Sequence, residues 1–220
     1  KTMPSTRYQK INAHHYRHIW VVGDIHGEYQ LLQSRLHQLS FFPEIDLLIS
    51  VGDNIDRGPE SLDVLRLLNQ PWFTSVKGNH EAMALEAFET GDGNMWLASG
   101  GDWFFDLNDS EQQEAIDLLL KFHHLPHIIE ITNDNIKYAI AHADYPGSEY
   151  LFGKEIAESE LLWPVDRVQK SLNGELQQIN GADYFIFGHM MFDNIQTFAN
   201  QIYIDTGSPK SGRLSFYKIR

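Results

Sequence analysis

Seven consecutive residues, Gly52-Asp53-Asn54-Ile55-Asp56-Arg57-Gly58, put two carboxylates and a guanidinium side by side. In a plain loop these charges would only be solvated. A site that holds cations next to an anion uses all three, and metal-assisted phosphoryl transfer is chemistry of that kind. A solvated polar turn with glycine ends is the plainer reading of this stretch taken alone. Other turns carry similar side chains: Asp24 and His26 in Gly-Asp-Ile-His-Gly, Asn79 and His80 in Gly-Asn-His-Glu, His142 in His-Ala-Asp, and His189 in Gly-His. Mixed imidazole and carboxylate donors suit borderline divalent ions. Six candidate ligands (Asp24, His26, Asp53, Asn79, His142 and His189) suit two ions better than one, with a carboxylate bridging them. Two ions about 3.5–4 Å apart form the clamp used for in-line phosphoryl displacement. The chain has no cysteine, which excludes disulfides, thiolate metal sites and cysteine nucleophiles.

Each turn needs an element to position it. Short apolar runs at 19–22, 47–51, 72–76, 136–140 and 184–187 have the length and residue types of buried strands. Each delivers one of the turns, at the carboxyl end where open α/β sheets hold ligands. Tyr29, Leu32, Leu36 and Leu39 fall at helical spacing after the first turn, and Pro59 with Leu62, Leu65 and Leu68 predicts a second helix. A third is predicted over 82–88, so the chain reads as α/β. Residues 89–126 read as a helical excursion, opened by a capping box at Ser110 and Gln113, with Trp96, Trp103, Phe104 and Phe105 as core. Residues 128–131 and 136–140 predict a hairpin across Asn133-Asp134-Asn135. A helix over 155–162 and closing strands at 202–204 and 214–217 follow. Residues 1–18 read as a polar N-terminal arm, in which His14, His15 and His18 lack any element to fix them, ahead of one catalytic domain over 19–220. His123, His124 and His127 read as surface or core residues.

Composition narrows the substrate. Seventeen basic against 30 acidic residues give a formal charge of −13, which argues against nucleic acid, since such binders need a basic stripe to replace counterions. A locally cationic site on an acidic chain fits a small anionic group carried on a peptide or small molecule. No apolar run approaches a membrane span and no signal core precedes residue 19, so no membrane partner is expected and the cytoplasm is the default compartment. Lys1 and Thr2, ahead of Met3, are set aside.

Taken in order, Gly-Asp-Ile-His-Gly, Gly-Asp-Asn-Ile-Asp-Arg-Gly, Gly-Asn-His-Glu, His-Ala-Asp and Gly-His resemble the metal-dependent phosphoprotein phosphatase (PPP) family. The pattern looks nearest to the bacteriophage lambda protein phosphatase and its bacterial relatives. It runs from about Ile19 to the C-terminus and takes in Trp103-Phe-Phe105, His142-Ala-Asp-Tyr-Pro146 and Tyr203-Ile-Asp-Thr-Gly207. The resemblance implies an αββα sandwich, the calcineurin-like metallophosphoesterase fold, with a dinuclear metal site at the carboxyl ends of strands. It implies one metal on Asp24, His26 and Asp53 and a second on Asp53, Asn79, His142 and His189, with Asp53 bridging. A metal-activated water or hydroxide is the implied nucleophile, attacking in line without a phosphoenzyme. Arg57, Asn79 and His80 would bind the substrate phosphate, His80 would be the general acid, and Asp56 would orient it. Two divalent ions are implied, manganese first, with iron, zinc or nickel open. The expected activity is hydrolysis of phosphoserine and phosphothreonine in proteins or peptides, with some on phosphotyrosine and aryl phosphates.

One position departs from the family pattern. The relatives carry a second phosphate-binding Arg two residues after the Trp that matches Trp163, where this chain has Val165 and its Arg comes at Arg167. Either Arg167 reaches the phosphate from a shifted position, or Arg57 works with less help. A dinucleoside tetraphosphate hydrolase is the alternative activity. In that group the residue before the Arg-Gly is typically not acidic and Asp follows the Asn-His pair, whereas Asp56 and Glu81 stand here.

Overall fold

The computed structural model describes residues 5–220. Ten strands are present among them: β1 (Tyr8–Asn12), β2 (Ile19–Val22), β3 (Leu47–Ser50), β4 (Phe73–Ser75), β5 (Ile128–Asn133), β6 (Ile136–Ile140), β7 (Tyr184–Phe187), β8 (Gln196–Phe198), β9 (Gln201–Tyr203) and β10 (Phe216–Lys218). They form a four-stranded sheet in the order β10-β2-β3-β4 and a six-stranded sheet in the order β1-β5-β6-β7-β9-β8. β2, β3 and β4 run parallel, as do β6, β7 and β9, so each sheet presents three adjacent strand ends in one direction. The helices are α1 (Tyr29–Gln38), α2 (Ser61–Arg66), α3 (Asn79–Thr90), α4 (Asn94–Ala98), α5 (Asp109–Leu120), α6 (Glu158–Leu162), α7 (Asp166–Leu172) and α8 (Ser208–Ser211).

The period of two in the apolar runs builds the layers. Ile19, Val21, Leu47 and Ile49 face Ile129, Ile140, Ile186 and Ile202 of the other sheet, forming the core between the sheets. The alternate residues Val22 and Leu48 pack outward against Leu32 and Leu36 of α1 and Val64 of α2. On the far side, Phe185 and Phe187 pack against Leu161 and Leu162 of α6 and Val168 of α7. With about 1.5–3 kcal/mol for each large side chain fully buried, these three interfaces hold the four layers in register. The architecture is thus the αββα sandwich. Helices α3 to α5 enclose a separate apolar cluster around Ile55, Trp96, Phe104 and Leu119, the expected excursion. The predicted hairpin joins β5 to β6 through Asp134 and Asn135, whose φ of 49° and 66° give the two left-handed positions that suit a tight hairpin.

The structure departs from the sequence reading at several places. The expected N-terminal arm over 1–18 is, in its described part, tied into the sheet: β1 pairs in parallel with β5 from Tyr8 opposite Ile128 to Asn12 opposite Thr132. β1 is an edge strand with both faces partly exposed, so its residues carry no apolar alternation to reveal it. The capping box of α5 is Asn108 with Glu111, two residues ahead of Ser110 and Gln113. Residues 166–172, for which the sequence predicts no element, form α7, which buries Arg167 and Val168.

Candidate metal centre

Every expected ligand sits just past a strand end. β2 leads to Asp24 and His26, β3 to Asp53, β4 to Asn79 and His80, β6 to His142 and β7 to His189. Close backbone approach makes the convergence possible. A Cβ on Gly78 would strike the Asp53 carboxylate and main chain, and one on Gly188 would strike the Asp24 carboxylate. The turns are strained: of nine non-glycine residues at positive φ among those described, five are His26 (44°), Asp53 (58°), Asp56 (77°), Arg57 (74°) and His189 (69°). Such conformations cost of order 1–3 kcal/mol each and persist only where the surroundings over-determine them. Glu81 supplies much of that bracing. Its buried carboxylate accepts from the amides of Asp53 (2.7 Å), Gly78 (2.8 Å) and Asn54 (3.0 Å), locking the β3 and β4 turns together.

Asp53 stands at the junction of two groups of donor atoms. Those of Asp53, His142 and His189 all lie within 4.8 Å of one another, as do those of His26, Asp53 and His80. Asp53 Oδ2 is 3.2 Å from His142 Nε2 and 3.8 Å from His26 Nε2, and Asp24 Oδ2 is also 3.8 Å from His26 Nε2. Asn79 Oδ1 lies 2.8 Å from His142 Nε2 and 3.2 Å from His189 Nδ1.

The hydrogen bonds on the far side of each ring determine its tautomer. His26 Nδ1 donates to the Ile55 carbonyl (2.8 Å), His142 Nδ1 to the Val51 carbonyl (2.7 Å) and His189 Nε2 to the Trp163 carbonyl (3.1 Å). A carbonyl only accepts, so in each neutral ring the lone pair is aimed at the cluster, the arrangement that orients imidazole metal ligands. Burial lowers His26, and burial with His142 beside it lowers His189 to about 4, so both rings are neutral donors. Around Asn79 the lone pairs of an amide oxygen, two imidazoles and a carboxylate face one another. They can be held together by turning the Asn79 amide so that its NH₂ donates to them, by a proton on His142, or by a cation. Burial would lower His142, but Asp53 outweighs it and raises the ring, a sign that positive charge is favoured at that point. Burial likewise opposes ionisation of Asp53, yet His142, His80 and His26 hold it well below the carboxylate range. The donor set therefore fits divalent ions, with Asp53 placed to reach both groups.

A sixth strand end belongs to the cluster and was missed from sequence. Asp205 follows β9, is buried, accepts the Gly207 amide (2.9 Å) and faces Asp24. Burial, then the neighbouring Asp205 and Asp53, push Asp24 well above the usual range. Burial raises Asp205 too, so positive charge placed beside the pair is favoured. The signal was present: an apolar run, an Asp and a small-residue turn, as at Asp24 and Asp53.

His80 differs from the other rings. Its Nδ1 donates to Asp56 Oδ2 (2.8 Å), leaving Nε2 free on the cluster side, 3.9 Å from Asp53 Oδ2. Burial lowers His80, but Asp53 and Asp56 outweigh it and the ring is shifted up, toward a proton donor. Asp56 is itself clamped. Trp96 Nε1 donates to both of its oxygens (3.0 Å each) and Trp103 Nε1 to Oδ1 (2.8 Å). The reading of these tryptophans as core alone was incomplete: their rings pack in the helical excursion while their indole N–H groups hold the Asp56 carboxylate beside His80.

The two arginines part company. Arg57 is exposed, lines a cavity of about 500 Å³ with His26 and Asp205, and its guanidinium has no hydrogen-bond partner among the described residues. Arg167 is buried and occupied: it donates to Asp144 (2.8 Å), Gln177 (3.1 Å) and the carbonyls of Tyr145 (2.9 Å) and Gly147 (2.6 Å). It is not brought to the cluster as a free cation, because α7 turns it onto the loop after β6.

Residues 17–192 match the profile of the family described as calcineurin-like phosphoesterase. A relative named serine/threonine-protein phosphatase 2, from Escherichia coli (strain K12), is 99% identical over 99% of this chain and 100% of its own length. Serine/threonine-protein phosphatase 1 of Salmonella typhimurium is 44% identical over 99% of each chain. A crystal structure provisionally described as that of a diadenosine tetraphosphatase superposes with a TM-score of 0.71 over 97% of this chain and 94% of its own. At 24% identity that likeness shows the fold alone.

Proposed function

This chain belongs to the calcineurin-like phosphoesterase family, and on that premise we propose that it is a metal-dependent protein phosphatase acting on phosphoserine and phosphothreonine. The near-identical relative's name supports the substrate class. The observation that carries the chemistry is the meeting of two donor groups at Asp53, with the His80–Asp56 pair alongside.

In this reading Asp24, His26 and Asp53 would hold one ion and Asp53, Asn79, His142 and His189 the other, with Asp205 adding negative charge behind Asp24. Bound divalent ions supply Lewis acidity toward the phosphoryl oxygens and lower the pKa of water into the neutral range; manganese is the expected metal. The protein's own contribution is positioning and proton delivery. Arg57, free at the cavity wall, offers a planar fork to two phosphate oxygens. Asp56 presents the His80 imidazole with its Nδ1 proton committed, so Nε2 carries the proton for the leaving serine or threonine oxygen. An alkoxide is a poor leaving group, and proton delivery to it is worth roughly 10²–10⁴ in rate.

The test is hydrolysis of a phosphoserine peptide, of 4-nitrophenyl phosphate and of diadenosine tetraphosphate, first in chelator and then with Mn²⁺ restored. Both monoesters should be hydrolysed only after metal is added, with little turnover of the tetraphosphate. Preference for the tetraphosphate, or full activity in chelator, would refute the proposal.

A further inference from the structure

Two cavities meet beside the cluster. One, of about 500 Å³, is bordered by His26, Arg57, Asp205 and Lys210; the other, of about 510 Å³, by Phe192, Lys210 and Arg213. Met191 and Gly207, like Lys210, border both, so the two form one groove leading away from the site. Met191 and Phe192 give it apolar surface, and Met191 is 54% exposed. Its cations, Arg57, Lys210 and Arg213, outnumber its carboxylates, the buried Asp205 and the fully exposed Asp193. Lys210 is exposed, with no hydrogen-bond or ion-pair partner among the described residues. Arg213 has only a solvated neighbour, Asp193 at 3.8 Å.

Lys210 is carried on a firmly fixed turn. Ser208 Oγ donates to the carbonyls of Asp24 (2.9 Å) and Ile25 (3.1 Å), and Gly207 donates to Asp205. Ser211 Oγ closes the turn on the Thr206 carbonyl at 2.7 Å. Helix α8 is thereby pinned to the β2 turn of the site. A cation held here, on a chain of formal charge −13, is a local attractor for negative charge. It reaches the second cavity as well as the first, so it serves the segment beyond the phosphate. A flexible point charge also suits a carboxylate whose position varies, where a bidentate fork would not.

We propose that this groove receives the peptide segment flanking the phosphorylated residue, and that Lys210, with Arg213 behind it, selects acidic side chains there. The inference rests on the protein phosphatase reading above. It is tested with phosphoserine peptides that are identical except for Glu or Gln at each flanking position in turn. The quantity compared is the Glu/Gln ratio of kcat/KM, which a general loss of activity does not move. The wild type should favour Glu at one or more positions by about three- to fivefold at low salt, the scale of an exposed ion pair. The preference should shrink as ionic strength rises. Lys210→Ala should bring the ratio to about one and Lys210→Glu should invert it. Lys170→Glu, the same charge change on the exposed face of α7, should keep the wild-type ratio. The proposal is overturned if Lys210→Glu keeps that ratio, or if Lys170→Glu abolishes it equally. If the metal-loaded wild type hydrolyses 4-nitrophenyl phosphate but no phosphopeptide, the protein-substrate reading itself fails, and this inference with it.

Discussion

The buried histidines His80 and His127 each donate to a carboxylate, and they are shifted in opposite directions. His80 donates Nδ1 to Asp56 at 2.8 Å and is raised; His127 donates Nε2 to Glu158 at 2.7 Å and is lowered. Burial lowers both. At His80 the second carboxylate, Asp53, outweighs it, with Asp56 adding to the effect. At His127 the surroundings are cationic, with Arg7 and Lys77 close by, and Nδ1 is already occupied in accepting the Arg7 amide at 3.0 Å. A ring that accepts at one nitrogen and donates at the other is held neutral. The carboxylate pair alone therefore does not make an acid; the charges around it and the second nitrogen decide. The first pair is the one proposed to hand over a proton, and the second ties the segments entering β1 and β5 to α6.

The comparison can be broken most strongly at His80. His80→Asn should lower turnover of alkyl phosphate esters by roughly 10²–10⁴ and that of 4-nitrophenyl phosphate much less, since its leaving group needs little protonation. Equal losses on the two substrates would remove His80 as the acid. Trp103→Phe comes next. Losing one hydrogen bond to a charged group costs about 1.5–3 kcal/mol, so turnover of alkyl esters should fall by roughly 10- to 150-fold, again with less effect on the aryl ester. A loss that ignores the leaving group would show that Trp103 only packs.

The smallest effect lies at the other pair. His127 and Lys77 hold Glu158 down at about 2 against an ordinary 4.5, although burial pushes the other way. A depressed carboxyl contributes stability that is present above its unfolded pKa and is lost as pH falls through its folded pKa. The window is therefore about pH 4.5 down to about 2. His127, also lowered, loses its contribution on acidification as well, beginning below its unfolded value of 6.5. The Glu158 side chain is 34% exposed, so solvent screening reduces the carboxyl contribution to about 1–2 kcal/mol. Urea unfolding at pH 6 and pH 3 should show the wild type losing more stability than Glu158→Gln over that interval. Parallel losses would mean the pair is not coupled to folding.

The proposed ligand residues were readable because each follows a short apolar run and sits beside glycine or another small residue, a local pattern. Asp205 obeys the same pattern within Tyr203-Ile-Asp-Thr-Gly207, and its burial against Asp24 is what joins it to the cluster. Trp96 and Trp103 were not readable as functional residues, because an aromatic at core spacing looks the same whichever way its N–H points. Arg167 was the harder case. Its helix is short and mostly polar, and only the placement of Asp144 and two carbonyls decides that its guanidinium is occupied.

Residue type and spacing alone determined the strands that lead to the site, the two-faced burial that stacks two sheets, and the kinds of side chain at the strand ends. These follow from periods of two and 3.6 and from turn chemistry acting over a few residues. Tertiary structure decided which imidazole nitrogen faces the cluster, which histidine gains a proton, which arginine stays free and which lysine overlooks the groove. Those outcomes depend on carbonyls, indoles and carboxylates that lie tens of residues away in the chain and within 3 Å or so in space, and no local pattern encodes such a distance.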